Sequence, residues 1–252
     1  MSIGLGIGLG SGSAALNRVA FSSPSDVNNL NLWLDNGVGL TLDTSVGPNP
    51  VEQWNDSSGN NNHISQSSDE RATVLDGGLN FEADNNNHYA LTTGIDIGNN
   101  NAFTVFVVLK IESYSSQNTL LSVASGTDKF LEIQTDSQIR YRQTSTSTNL
   151  PAVLKFSASN PFATGTKMLL TIIKDTNRNL TVRKNGSVLT QSGSTNIPVD
   201  SGDFVANQFG GRSTEPDRDF DGVIYEFLLY GKECSASELN NIETHLISEH
   251  GL

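Results

Sequence analysis

Cysteine is nearly absent. Cys234 is the only one, so no disulfide can close within the chain, and a small disulfide-stapled extracellular domain is not expected. Positive charge is also scarce. Fifteen Lys and Arg stand against 27 Asp and Glu, for a net charge of −12. No basic stripe stands out, so binding to nucleic acid by phosphate neutralisation is not expected. No apolar run approaches the roughly 20 residues that span a bilayer, so a membrane partner is not expected either. The hydrophobic share of 36% is below that of an average globular domain, and Ser, Thr, Asn and Gly take its place. Such residues suit turns and the wet faces of strands.

What is present reads as strands. Ala102 to Glu112 is nearly continuous in Phe, Val, Leu and Ile, the pattern of a strand buried on both faces. Thr119 to Ala124, Phe130 to Gln134 and Gln138 to Gln143 follow, separated by turn residues. Met168 to Lys174 and Leu180 to Lys184 make a hairpin around Asp175–Asn179, and Asn185-Gly186 supplies a type I′ turn into Ser187–Leu189. Phe220 to Tyr230 reads as a last strand. Ser235 with Glu238 forms a capping box for a closing helix to His250, whose apolar positions are Leu239, Ile242 and Leu246 and whose stop is Gly251. Many short strands with one helix imply an all-β, two-sheet antiparallel sandwich.

The first residues are of another kind. Ile3, Leu5, Ile7 and Leu9 alternate with Gly4, Gly6, Gly8 and Gly10. In an extended chain this puts every aliphatic side chain on one side. The pattern has neither the basic start nor the continuous apolar stretch of an export signal, and its glycines miss the phosphate-binding spacing. It reads as an anchoring arm that adds to another subunit's sheet edge or, on the plainer reading, as a disordered tail; the arm is the expectation. Phe21 to Asn29, rich in Ser, Pro and Asn, is expected to be a linker. The expected organisation is an arm and linker over 1–25 and one domain over 26–252.

Three stretches carry a family likeness. Leu30-Asn31-Leu32-Trp33-Leu34-Asp35, then Trp54-Asn55-Asp56-Ser57-Ser58-Gly59-Asn60, then the terminal strand and helix, occur in the order found in concanavalin A-like, laminin-G-like jelly-roll domains. The chain resembles these domains over about residues 26 to 252. The resemblance implies a jelly roll, a fold that hosts lectins, glycanases, adhesion modules and virion proteins alike. Preceded directly by a glycine-aliphatic arm, it is similar to accessory structural proteins of tailed bacteriophages.

The candidate chemistry is thin. The laminarinase-like branch of this fold carries its acids as a Glu-x-Asp-x-x-Glu run, and no such run occurs. Glu226, alone among aromatics, reads either as an acid of raised pKa or as a carboxylate bonded to buried backbone and hydroxyl groups, with the second favoured. Asp217, Asp219, Asp221 and Gly222 match the first half of a calcium loop, with Asp56 and Asp84 as further oxygen donors. The twelfth position, however, is Leu228 rather than Glu, so solvated turn carboxylates and no metal site are expected, and calcium is the one ion left open. His63, His88, His245, His250 and Cys234 adjoin no nucleophile motif. No catalytic residue is expected. Trp33 reads as core and Trp54 as cover for a sheet edge, while Tyr89, Tyr114 and Tyr141 are candidate sugar platforms.

The expected function is that of a non-enzymatic virion structural protein, made in the host cytoplasm. It would decorate the head or belong to a fibre or tail, anchored to other virion proteins through Ile3, Leu5, Ile7 and Leu9 and assembled as a homo-oligomer. Its sandwich would display a lectin-like surface to cell-surface glycans. The alternative is a stand-alone carbohydrate-binding or glycan-hydrolysing jelly-roll protein.

Overall fold

A computed structural model describes residues 21–252 apart from 83–84, 99, 116, 125–128, 144–151, 157–159, 193–196, 198–203 and 213–217. Ile3, Leu5, Ile7 and Leu9, the expected anchoring arm, lie outside the described residues.

Two antiparallel sheets face one another, their strands numbered here in chain order. The eight-stranded sheet runs β15 (Ser187–Val188), β14 (Leu180–Lys184), β13 (Lys167–Lys174), β8 (Phe103–Ile111), β17 (Gly222–Tyr230), β6 (Gly78–Phe81) and β5 (Thr73–Leu75), with β1 (Leu30–Leu34) also paired to β17. The nine-stranded sheet runs β12 (Ala152–Lys155), β11 (Gln138–Arg142), β10 (Phe130–Thr135), β9 (Asn118–Ser122), β16 (Val205–Phe209), β7 (Tyr89–Asp96), β4 (Ile64–Ser65), β3 (Val51–Trp54) and β2 (Leu40–Leu42). This is the expected all-β jelly-roll sandwich with a short C-terminal helix, α1 (Ala236–His250).

The alternation of β8 builds both layers of the core. Phe103, Val105, Val107, Leu109 and Ile111 point between the sheets, where they meet Leu131, Ile133, Ile139, Leu170, Phe209 and Phe227. Phe106 and Val108 point the other way and join Leu169, Leu228 and Tyr230 beneath Ile242 and Leu246 of α1. One strand thus serves the sandwich core on one face and the helix seat on the other, which is why it reads as continuously apolar.

The helix ends follow local chemistry. Ser235 Oγ accepts from Glu238 N–H, while Glu238 Oε2 accepts Ser235 N–H at 2.8 Å. Gly251 takes the left-handed φ of 66° that ends the helix. The Asn185-Gly186 turn has φ of 46° and 78°, the type I′ signature.

Phe21 to Asn29 is not a free linker. Pro24 is buried in a 3₁₀ turn capped by Ser23, its carbonyl accepts Tyr230 Oη–H at 2.9 Å, and Phe21 packs against the helix layer. The tyrosine's buried hydroxyl needs an acceptor, and this segment supplies it.

Candidate functional site

The two outer faces of the sandwich differ in kind. α1 seals that of the eight-stranded sheet. The nine-stranded sheet instead carries a row of directly opposed residues across its outside: Thr41, Gln53, Ser65, Ala90, Gln208, Ser122, Phe130 and Arg142. Directly opposed residues of an antiparallel pair share a face, and the residues flanking this row (Trp54, Ile64, Tyr89, Leu91, Phe209, Leu121 and Leu131) belong to the core. Apart from Ala90 and Phe130 the row is polar, with hydroxyls, amides and a guanidinium where the inner face has apolar side chains.

One end of the row is open. Thr41, Glu52, Gln53, Ser65, Gln66, Ser67 and Ala90 line a groove of about 460 Å³. Ala90 is the apolar residue of this lining. Gln66 is fixed by its Nε2–H donating to His88 O at 3.0 Å and by its Oε1 accepting from Ser68 N at 3.2 Å. Gln53 Nε2 donates to Asn55 Oδ1 at 2.5 Å. Glu52 lies 3.2 Å from Arg71 Nη1, which also reaches Asp43 at 3.0 Å. The hydroxyl and amide of Ser45 hold the Asp43 carboxyl below the usual carboxylate range, and Arg71 adds to this. Glu52, Gln53 and Gln66 are thus held before any ligand arrives. Glu52 is the one carboxylate in the lining, and it already faces Arg71. The two-carboxylate route of glycoside cleavage needs a second.

At the other end Ser122 Oγ donates to Gly211 O at 2.6 Å, and Arg212 lies over Phe130. Fully buried Glu132 lies 2.8 Å from Arg140 Nη1 and 3.8 Å from Arg212 Nη1. Both guanidinium groups stack over Phe130, at 5.0 and 4.7 Å from its centroid. Burial depresses the pKa of Arg140, and the Glu132 charge opposes that shift. Gln117 Oε1 accepts from Arg140 Nη1 at 2.8 Å and also from Arg218 Nη1. Gly211 must be glycine here, since a Cβ would come within 2.0 Å of Asp219 Oδ1.

Several expectations from the sequence are corrected. Trp54 covers no edge: it is fully buried in the core and donates Nε1–H to Asp35 O at 3.0 Å. Tyr89 and Tyr141 are no sugar platforms. Both are fully buried, with hydroxyls donating to Val51 O at 2.8 Å and Ile97 O at 2.7 Å. Tyr114 is half-buried and bonded to Phe162 O at 2.7 Å. Trp33 is half-buried over the helix layer. Glu226 is buried, but its partners are Trp33 Nε1 at 2.8 Å and His250 Nε2 at 2.7 Å rather than backbone and hydroxyls.

The half calcium loop is only partly described. Asp217 and Asp84 lie outside the described residues. Asp219 is no solvated turn carboxylate: it is fully buried and accepts Arg212 N–H at 3.0 Å. Asp56 accepts from Trp33 N, Ser58 N, Ser58 Oγ and Asn62 N at 2.8–2.9 Å, which uses both its oxygens inside the loop. Cys234 is buried, and burial pushes its thiol up to about 11. The groove itself was missed from sequence, because no motif marks it and only the strand register assembles it.

Comparison with known proteins agrees with this architecture. The sequence profile described as the concanavalin A-like lectin/glucanases superfamily matches residues 83–240. No curated protein matches the chain. Among solved structures, the binding domain of Paraclostridial Mosquitocidal Protein 1 superposes with a TM-score of 0.61 at 13% identity, covering 89% of this chain and 53% of that one. Trypanosoma rangeli sialidase in complex with sialic acid gives a TM-score of 0.54 at 14% identity, covering 88% of this chain and 33% of that one. At such identities the likeness is one of fold. The chain spans about half the length of the first structure and a third of the second.

Proposed function

Because this chain belongs to the concanavalin A-like lectin/glucanases superfamily, we propose that it is a non-enzymatic, lectin-like domain that binds glycans on the outer face of its nine-stranded sheet. The observation that carries this reading is the polar row ending in the groove around Gln53, Ser65, Gln66 and Ala90. Hydroxyls and amides fixed on a rigid sheet suit the alternating donors and acceptors of a sugar, and a pre-held rim lowers the entropy lost on binding. Sialylated glycans head the set to be tried, since one compared structure is a sialidase complexed with sialic acid.

A glycan array with the full chain tests the reading, alongside Q53A and S65A. Selective binding that both variants weaken supports it. An empty array, or binding that neither change touches, contradicts it.

The narrower setting, a virion accessory protein made in the host cytoplasm, rests on the alternation of Ile3, Leu5, Ile7 and Leu9 with glycine. A strip of this kind gains burial only against a partner surface. Neither compared structure is named as a virion protein, so the comparisons favour glycan binding as such over this setting. Homo-oligomerisation belongs with the same proposal. Deleting residues 1–12 should abolish co-sedimentation with particles while the sandwich still folds, and unchanged co-sedimentation would remove the anchor.

A further inference from the structure

The last turn of α1 and the middle of β17 gather ligating groups that glycan binding does not use. The pairing of β17 with β8 slips register between Ile224 and Glu226. This bulge puts both Tyr225 and Glu226 on the helix side, where strict alternation would have sent the glutamate between the sheets. Glu226 is fully buried; its Oε1 accepts Trp33 Nε1–H at 2.8 Å and its Oε2 lies 2.7 Å from His250 Nε2. The His250 side chain is 1% exposed, and its Nδ1 is buried without a hydrogen-bond partner among the described residues. Exposed Glu249 reaches the same point: one donor atom each from Glu226, Glu249 and His250 lie within 4.8 Å of one another.

The surroundings are rich in titratable groups. His245 Nε2 lies 3.3 Å from Glu249. Asp35 is raised to about 6, by burial first and then by the charges of Glu226 and Glu249. Lys167 lies over the Tyr225 ring at 4.1 Å; burial depresses its pKa, while the Asp76 and Glu226 charges oppose the shift. A histidine near a helix C-terminus is favourable on its own. That does not account for a second carboxylate converging on the pair.

We propose that Glu226, Glu249 and His250 form a binding site for one divalent transition cation of the zinc class. Imidazole nitrogen with carboxylate oxygen is a donor set for such ions, whereas calcium and magnesium take oxygen alone. Donors about 2.0–2.2 Å from zinc stand roughly 3.3 Å apart. The Glu226–His250 contact opens slightly to admit the ion, and Glu249, exposed at the surface beside His245, closes onto it. Trp33 acts behind the ligands, holding the Glu226 carboxylate through its indole N–H. His245 or water takes the fourth position.

The test is a calorimetric titration of the full chain with zinc chloride, with magnesium and calcium chloride in parallel, on wild type, H250Q, E249Q and H245Q. The expected result is one zinc per chain, no magnesium or calcium binding at the same concentrations, and affinity at least about tenfold weaker in H250Q and E249Q, since loss of even an outer partner costs that much. Glu249 is exposed, so E249Q keeps its fold and decides the matter if H250Q does not. Unchanged zinc affinity in E249Q overturns the proposal. So does binding that is lost in H245Q and E249Q but kept in folded H250Q, which would assign the ion to the surface pair alone.

Discussion

The carboxylate of Asp56 accepts the backbone N–H of Trp33 at 2.9 Å, tying the first strand to a loop 23 residues further on. The same side chain takes Ser58 N, Ser58 Oγ and Asn62 N, and Asn62 and Asn60 in turn donate to Asn31 O and Leu30 O at 2.7 Å. The Trp-x-Asp-x-Ser-Gly-Asn stretch is thus a clasp on β1.

D56A should therefore lower stability by about 2–4 kcal/mol, because it strips partners from several buried N–H groups at once. D56N, which keeps one acceptor oxygen, should cost less than half of that. Urea unfolding followed by tryptophan fluorescence measures both. Equal stability of D56A and wild type would show that the clasp is idle.

Glu243 seats the helix. Nearly buried, it accepts Thr171 Oγ1 at 2.8 Å and a two-pronged contact from Arg183, Nε at 2.7 Å and Nη2 at 2.8 Å. R183M leaves that carboxylate buried and under-paired, and should cost about 3 kcal/mol. The R183M/E243Q double variant should recover part of the loss, since the stranded charge is gone. A double-mutant cycle by thermal denaturation checks it.

Asp35 gives a pH signature. Burial and the neighbouring Glu226 and Glu249 charges raise its folded pKa to about 6, above the ordinary 3.8. The folded state then holds this proton more tightly than the unfolded state, so its contribution falls as pH rises from about 4 through 6 and stays unfavourable above. D35N should melt higher than wild type at pH 7 and no higher at pH 3.5. Melting curves across that range decide it, and a constant offset would contradict the assignment.

The fold was legible where the signals were local. β8 shows itself by unbroken apolarity, the hairpin of β13 and β14 by its turn residues, and α1 by Ser235, Glu238 and Gly251. β7, β12 and β16 were not read as strands. In Tyr89–Asp96 the outward positions are Ala, Thr, Gly and Asp, so only Tyr89, Leu91 and Ile95 mark it as half-buried. Trp54 reads from sequence as cover for a sheet edge, and Tyr89 and Tyr141 as candidate sugar platforms, yet each polar tip meets a backbone carbonyl far away in the chain. The groove was invisible for the same reason. Thr41, Gln53, Ser65 and Ala90 come from four strands, and only register lines them up.

The glycan-binding claim is tested most directly by filling that groove. A90W puts an indole into its exposed lining, whereas T244W adds the same bulk to the exposed side of α1, across the sandwich. With the best glycan from the array measured by calorimetry, the account predicts that A90W loses binding and T244W keeps wild-type affinity. Undiminished affinity in a folded A90W, or its loss in T244W alone, would contradict it.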